Sequence, residues 1–378
     1  MTAETAKAPL SQLLQTFMTQ KRIPYLDAFR AFSVFLVMLS HFGIAAPGPL
    51  GVTCFFFISG FLISHLLLTE ARQHPENNID IKAFYIRRAF RILPVLLAYI
   101  IASVLLYKAS GRATPWLEIW PSLVFLQNYN IIVNFPTDMT LPLKQLWSLS
   151  VEEHYYLIAP WLFVWAAYTK RWPQFILLLL GAIIIGYLWR FYALLGLHEN
   201  WQYMSLATEC RIDSILYGVL FALVLHQAYQ HPSSVYAKSL HWVIHSPWLL
   251  WLSIAILAFI WQEDNRIFYF ILSYPLFGFA FAVVLIKLLF TPGLGGLKWI
   301  LEAWPLRALG IISYSLYLWH LLVFKLTAQW YQAPEFFPPY GSTLIATLLS
   351  IGVATLSYWL IEKPAIQWRR NHCDRTPQ

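Results

Sequence analysis

The chain has 378 residues and a formal net charge of +8, yet only 12% of its residues are charged and 59% are hydrophobic. Soluble domains carry about 25% charged residues, so an ordinary soluble domain is excluded. The Lys and Arg residues are spread between apolar runs rather than gathered into the patch a nucleic acid would need. Cys54, Cys210 and Cys373 have neither metal nor redox spacing, so neither a disulfide framework nor a metal site is implied.

Residues 1–24 read as a cytoplasmic tail. Their first twenty lack an apolar core and a small-residue cleavage site, so no signal peptide is expected. LLQTF within them is either a short surface helix or a frayed end. Ten apolar spans follow, at about 25–45, 51–69, 92–110, 147–169, 173–195, 208–227, 246–262, 268–290, 307–330 and 342–362. The pattern predicts an all-α fold, a polytopic membrane bundle of about ten transmembrane helices across residues 25–364, with 365–378 as a second tail. An aromatic content of 17% suits the belts that mark membrane interfaces.

Basic residues set the orientation. With the N-terminus inside, the inner segments hold Lys7, Lys21, Arg22, Arg72, Lys82, Arg87, Arg88, Arg91, Lys170, Arg171, Lys238, Lys287, Lys298, Arg307, Lys363, Arg369, Arg370 and Arg375. The outer loops hold Lys108, Arg112, Lys144 and Arg266. This asymmetry, and an even number of spans, place both termini in the cytoplasm. The outer stretch 111–146 contains PWLEIWPSLVFLQNY, which reads as a re-entrant or interfacial helix, or as a further span. A further span would carry the basic tail outside, against the charge rule.

The first span reads DAFRAFSVFLVMLSH and sets Arg30 and His41 with ten residues between them. At 100° and 1.5 Å per residue, eleven steps bring both side chains to nearly one face, roughly 16 Å apart along the axis. Ionisable groups at such depth face a bundle interior or a wet cavity and mark function. Entry near Tyr25 places His41 roughly 24 Å along a core about 30 Å thick. The plainer reading of His41 is an imidazole bonded to a neighbouring carbonyl.

Ser59 and Gly60, near the middle of the second span, either allow close helix packing or clear space beside the histidine. Arg87, Arg88 and Arg91, in FYIRRAFRILP, form a basic turn before the third span. Inner-face anchoring accounts for their charge. Guanidinium forks also match phosphate oxygens, so Arg88 and Arg91 with Arg30 suit a polyanion such as coenzyme A. Glu152 and Glu153, in WSLSVEEHYYL, lie roughly 8 Å below the outer surface, near the depth of His41. One of them orients that imidazole, as carboxylates do in hydrolase triads, or faces outer water. Arg211 and Asp213 open the sixth span and either bind an acceptor or pair with each other. Tyr314, Tyr317 and His320 climb one face of the ninth span, and His320 is the rival base. Glu362 and Pro364 read as the end of the tenth span.

The segments LDAFRAFSVFLVMLSH, GVTCFFFISGFLI, FYIRRAFRILP, LWSLSVEEHYYLIAPWL, RIDSILYGVLFA, ISYSLYLWH and SYWLIEKP, in this order over residues 23–364, resemble the successive signatures of the acyltransferase-3 family. The resemblance implies a ten-helix bacterial inner-membrane enzyme. Such an enzyme moves an acyl group, usually acetyl, from cytoplasmic acyl-CoA to a hydroxyl of an extracytoplasmic glycan or lipid-linked sugar. The family's basic-x10-His pattern falls on Arg30 and His41, its R-x-x-R pattern on Arg88 and Arg91, and its acidic pair on Glu152 and Glu153. Thr53 departs from the acidic residue that many members carry there. Some relatives append a soluble esterase-like domain, and this chain ends before one would fit.

The implied site then has His41, Glu152 and Glu153 as catalytic residues, and Arg30, Arg88 and Arg91 on acetyl-CoA. Ser59, Arg211, Asp213, Tyr317 and His320 are left toward the acceptor. No metal is needed. A transporter or flippase of a glycan precursor would also bury charges, but it should show repeats or paired broken helices, and none is visible in the sequence.

Overall fold

The computed structural model describes residues 9–20, 23–73, 79–111, 113–135, 139–262, 265–291, 294–331 and 341–373, and these form helices and connecting turns without a strand. Lys7, Lys21, Arg22, Arg112 and Arg375 of the charge count lie outside the described residues, as do 1–8 and 374–378 of the two expected tails.

The N-terminal helices are α1 (Leu10–Thr19), α2 (Pro24–His41), α3 (Gly48–Gln73) and α4 (Ile81–Ala109). Two short helices, α5 (Trp116–Leu123) and α6 (Gln127–Asn134), lead to α7 (Leu146–Thr169) and α8 (Trp172–Leu195). Then come α9 (Trp201–Leu206), α10 (Thr208–Gln230), α11 (Val235–His245), α12 (Trp248–Gln262), α13 (Arg266–Ile271) and α14 (Ser273–Phe290). The chain closes with α15 (Gly295–Leu301), α16 (Trp304–Ile311), α17 (Ser313–Tyr331), α18 (Gly341–Ser357) and α19 (Lys363–His372).

Each of the ten expected spans falls on a long helix or a bent pair. Among the described residues, α3, α4, α8, α14 and the continuous stretch Gly341–His372 are long and apolar enough to cross a membrane. The bent pairs α11–α12 (83°) and α16–α17 (74°) raise that number from 5 to 7. The spans left over are α2, α7 and α10. All three are long enough, but they carry Asp27, Arg30 and His41, then Glu152 and Glu153, then Glu209, Arg211 and Asp213. In α4, by contrast, the charges Lys82, Arg87, Arg88, Arg91 and Lys108 sit toward the two ends, leaving an apolar stretch between them. Spans charged like α2, α7 and α10 are tolerated where neighbours cover their polar groups.

The stretch 111–146 is not a further span: among its described residues the helices α5 and α6 have 8 residues each, about 12 Å against a core of about 30 Å. Pro364 does not end the last helix. A π-helical turn, Tyr358–Glu362, joins α18 to α19, and Pro364 occupies the first turn of α19, where its missing N–H is tolerated.

The chain groups into two compact units. One comprises residues 1–30, 52–79 and 161–307. Its central helix is α10, buried nearly all round and packed by α8, α11 and α14. A Cβ at Gly218 would overlap the Phe57 carbonyl, and one at Gly60 would overlap the Ile215 carbonyl. Glycine at both points lets the α3 and α10 backbones touch. That fixes the reading of Gly60 as close packing. Lys287, counted above as an inner-face charge, is buried in this unit and donates to the Ile244 carbonyl at 2.8 Å.

The other unit comprises residues 31–51, 80–160 and 308–378. Within it α17 packs on α18 and α4, and α4 packs on α19.

Candidate active site

Helix α2 runs unbroken from Pro24 to His41, so the eleven-step register from Arg30 to His41 is that of one continuous helix. Arg30 and Phe35 are half-buried, Phe32 is exposed, and Ala31, Val34, Leu36, Val37 and Met38 are buried. At the end of the helix His41 is exposed. Its Nδ1 lies 2.8 Å from Nε2 of His320 on α17, and His320 is fully buried. The two residues weighed as rival bases are therefore direct partners. His320 Nδ1 lies 2.7 Å from the Tyr317 carbonyl oxygen, three residues back on the same helix.

A network of hydrogen bonds holds the pair's surroundings. The Tyr317 hydroxyl donates to the Gln145 carbonyl at 3.0 Å and shares a 2.7 Å bond with Ser148 Oγ. Gln145 Nε2 donates to the Tyr99 hydroxyl at 2.8 Å and to the Leu318 carbonyl at 3.0 Å. The Tyr99 hydroxyl in turn donates to the Pro142 carbonyl. Upstream, the buried Glu118 carboxylate accepts from the main-chain N–H groups of Thr140 (2.9 Å) and Leu141 (2.7 Å). Lys325 donates to the carbonyls of Met139 and Thr140 at 3.1 and 3.0 Å. The segment 139–148 is thus tied by α4, α5 and α17, and its Lys144 acts electrostatically on His41. Sequence reading missed Glu118, Gln145, Ser148 and Lys325. Their signal was polarity inside apolar surroundings, which names no partner.

Arg88 lies over the Tyr156 ring, 5.3 Å from its centroid, and the charges of Glu152 and Glu153 act on it. The Tyr156 hydroxyl donates to Glu152 Oε2 at 3.0 Å. Glu153 Oε1 is buried and accepts no hydrogen bond among the described residues. Ser148, bonded to Tyr317, precedes Glu152 by four residues, so the carboxylates stand about 6 Å further along α7. The acidic pair is brought to Arg88, whereas the hydrogen-bond partner of His41 is an imidazole. Arg91 repels Arg88 from one turn away, a basic pair suited to phosphate oxygens.

Arg211 and Asp213 do not pair with each other. Arg211 donates to the Tyr274 hydroxyl at 2.6 Å and to Thr53 Oγ1 at 2.9 Å. Asp213 forms a 2.7 Å ion pair with Arg190. All of these side chains are buried, at 0–1% exposure. Thr53, where the acidic residue of the pattern is missing, still serves Arg211 as an acceptor. Ser59 is half-buried on α3.

A family model described as an acyltransferase domain matches residues 23–362. The chain belongs to the acyltransferase-3 family. Among the similar members of this family is a Staphylococcus aureus (strain COL) protein whose name assigns it provisionally as an O-acetyltransferase. It is 31% identical over 93% of this chain and 59% of its own length. A Bacillus subtilis (strain 168) protein, assigned provisionally as a peptidoglycan O-acetyltransferase, is 28% identical over 90% of this chain and 54% of its own. The peptidoglycan O-acetyltransferase OatA of Listeria monocytogenes is 26% identical over 92% and 56%. This acyltransferase-3 chain therefore spans little more than half the length of these relatives. No solved structure matches it.

Proposed function

We propose that the chain is a membrane O-acyltransferase that moves an acetyl group from cytoplasmic acetyl-CoA to a hydroxyl of an extracytoplasmic glycan, with both termini in the cytoplasm of a bacterial inner membrane. The observation that carries this reading is the exposed His41 imidazole, held by His320, at the end of an unbroken helix that also bears Arg30. Arg88 and Arg91 bind the phosphates of acetyl-CoA, and Arg30 adds a cation eleven residues before His41 on the same helix. The pantetheine arm spans a distance of the order of 16 Å, the rise of eleven helical residues, and delivers the thioester to His41. His41 is the general base on the acceptor hydroxyl. The relatives named for peptidoglycan O-acetylation favour a cell-wall glycan as acceptor.

The glutamates serve the donor end in this reading, balancing Arg88 so that the basic pair releases as well as binds its polyanion. The test is thermal unfolding of the detergent-solubilised protein with ligands. Acetyl-CoA at 100 times its Kd should stabilise by about 2.7 kcal/mol, and soluble glycan strands alone should give less. Stabilisation by glycan alone, with none by acetyl-CoA, would point to a glycan transporter instead. Sidedness is read by supplying acetyl-CoA to one face of sealed vesicles and glycan to the other.

A further inference from the structure

The two ring contacts of His320 determine where every proton of the histidine pair sits. A carbonyl oxygen only accepts, so His320 Nδ1, 2.7 Å from the Tyr317 oxygen, carries hydrogen. A neutral imidazole has one N–H, which leaves His320 Nε2 with a lone pair. That lone pair faces His41 Nδ1 at 2.8 Å, so His41 Nδ1 is the donor and its Nε2 is left basic.

Ring geometry agrees. The planes differ by 10° and the centroids lie 5.1 Å apart. Ring bonds of about 1.33 Å put each nitrogen roughly 1.1 Å from its ring centre. The centroid distance then equals the N···N distance plus two ring radii, so the rings meet edge to edge rather than face to face. An imidazole N–H lies in its ring plane, and the resulting bond is close to straight, the favoured geometry.

We propose that His320 is the positioning residue of the acyl transfer, holding His41 in its Nδ1–H tautomer so that Nε2 points its lone pair at the acceptor hydroxyl. This rests on the reading of His41 as the base. A buried neutral imidazole backed by a main-chain carbonyl here takes the role that a carboxylate takes in hydrolase triads. His320 itself cannot be the base, since it is fully buried and both ring nitrogens are engaged.

His41 Nε2 takes the proton of the acceptor hydroxyl while that oxygen bonds to the thioester carbonyl carbon. The C–S bond breaks, its electron pair goes to sulfur, and Nε2 returns the proton to the thiolate. The products are the acetyl ester and the free thiol of coenzyme A, with His41 back in its starting tautomer. In between, His41 carries both N–H groups, and Nδ1–H stays bonded to His320.

The experiment compares His320→Leu, which removes the acceptor, with His320→Gln, whose amide oxygen can replace it, in proteoliposomes given acetyl-CoA and soluble peptidoglycan strands. The Leu variant should lose about 100- to 10,000-fold in kcat, with little change in KM for acetyl-CoA, and the Gln variant should recover about tenfold or more of that loss. Ring-15N NMR of the wild-type protein should show His41 protonated at Nδ1 and bare at Nε2. Equal losses in the two variants, a Leu variant with wild-type kcat, or a proton on His41 Nε2 would each overturn the proposal. Should the Leu variant fail to fold, the wild-type spectrum still decides. An inactive His41→Ala beside an active His320→Leu would remove only this role, whereas an active His41→Ala would remove the base itself.

Discussion

Two inter-helix histidine pairs, one in each compact unit, differ in nearly everything except residue type. His41 and His320 meet at 2.8 Å with planes 10° apart, and a carbonyl fixes the outer nitrogen of His320. His65 and His226, on α3 and α10, meet at 3.2 Å with planes crossed at 66°. His226 is buried, and its Nδ1 has no hydrogen-bond partner among the described residues. Phe17 and Phe61 pack on His65 at 5.3 and 5.8 Å. The first pair has a defined proton arrangement and an accessible end. Among the described residues the second has no carbonyl to fix its tautomers, and His65, half-buried, has Phe17 and Phe61 against its ring. Depth and residue type alone therefore do not tell the two pairs apart; in the proposed reading the difference is the lone pair left on His41 Nε2.

That contrast can be broken most forcefully at His41. His41→Ala should cut acetyl transfer by about 100- to 10,000-fold, the usual share of a general base, measured with labelled acetyl-CoA in proteoliposomes. Replacing Arg88 and Arg91 together with Ala tests the donor end. The apparent KM for acetyl-CoA should rise roughly 10- to 100-fold, as lost charge-assisted hydrogen bonds to phosphate predict, with kcat nearly unchanged. In the unit of the second pair the expected effects are on stability. Gly218→Leu forces α3 and α10 apart and should cost about 1–3 kcal/mol, seen as a lower Tm. The smallest change belongs to His226→Phe, which keeps an apolar ring in place and should leave transfer within about twofold of wild type. A large loss of kcat in that variant, at normal Tm, would erase the distinction between the two pairs.

Much of this was legible in the sequence because helical periodicity is local. Arg30 and His41 share a helix by counting alone, and α2 bears out the count. The ten apolar runs each became a helix or a bent pair for the same reason. What periodicity cannot give is the partner across helices. Tyr317 and His320 lie on α17, far in sequence from His41 and Ser148, and no spacing links them. Depth along a span placed Glu152 and Glu153 near the level of His41, but rotation about the helix axis decides which neighbour a side chain meets, and their charges reach Arg88. The π turn before Pro364 was likewise invisible, since the rule that proline ends helices assumes a regular i→i−4 ladder.

Glu118 has a wider consequence. One carboxylate on a helix of 8 residues grips two successive amide groups of the chain leading to Gln145, whose carbonyl accepts from Tyr317. The path of the segment at Thr140 and Leu141 is consequently set by its main-chain N–H groups rather than by its own side chains. Side chains around residues 139–141 can therefore be exchanged without loosening the hold of α5 on the segment that enters α7.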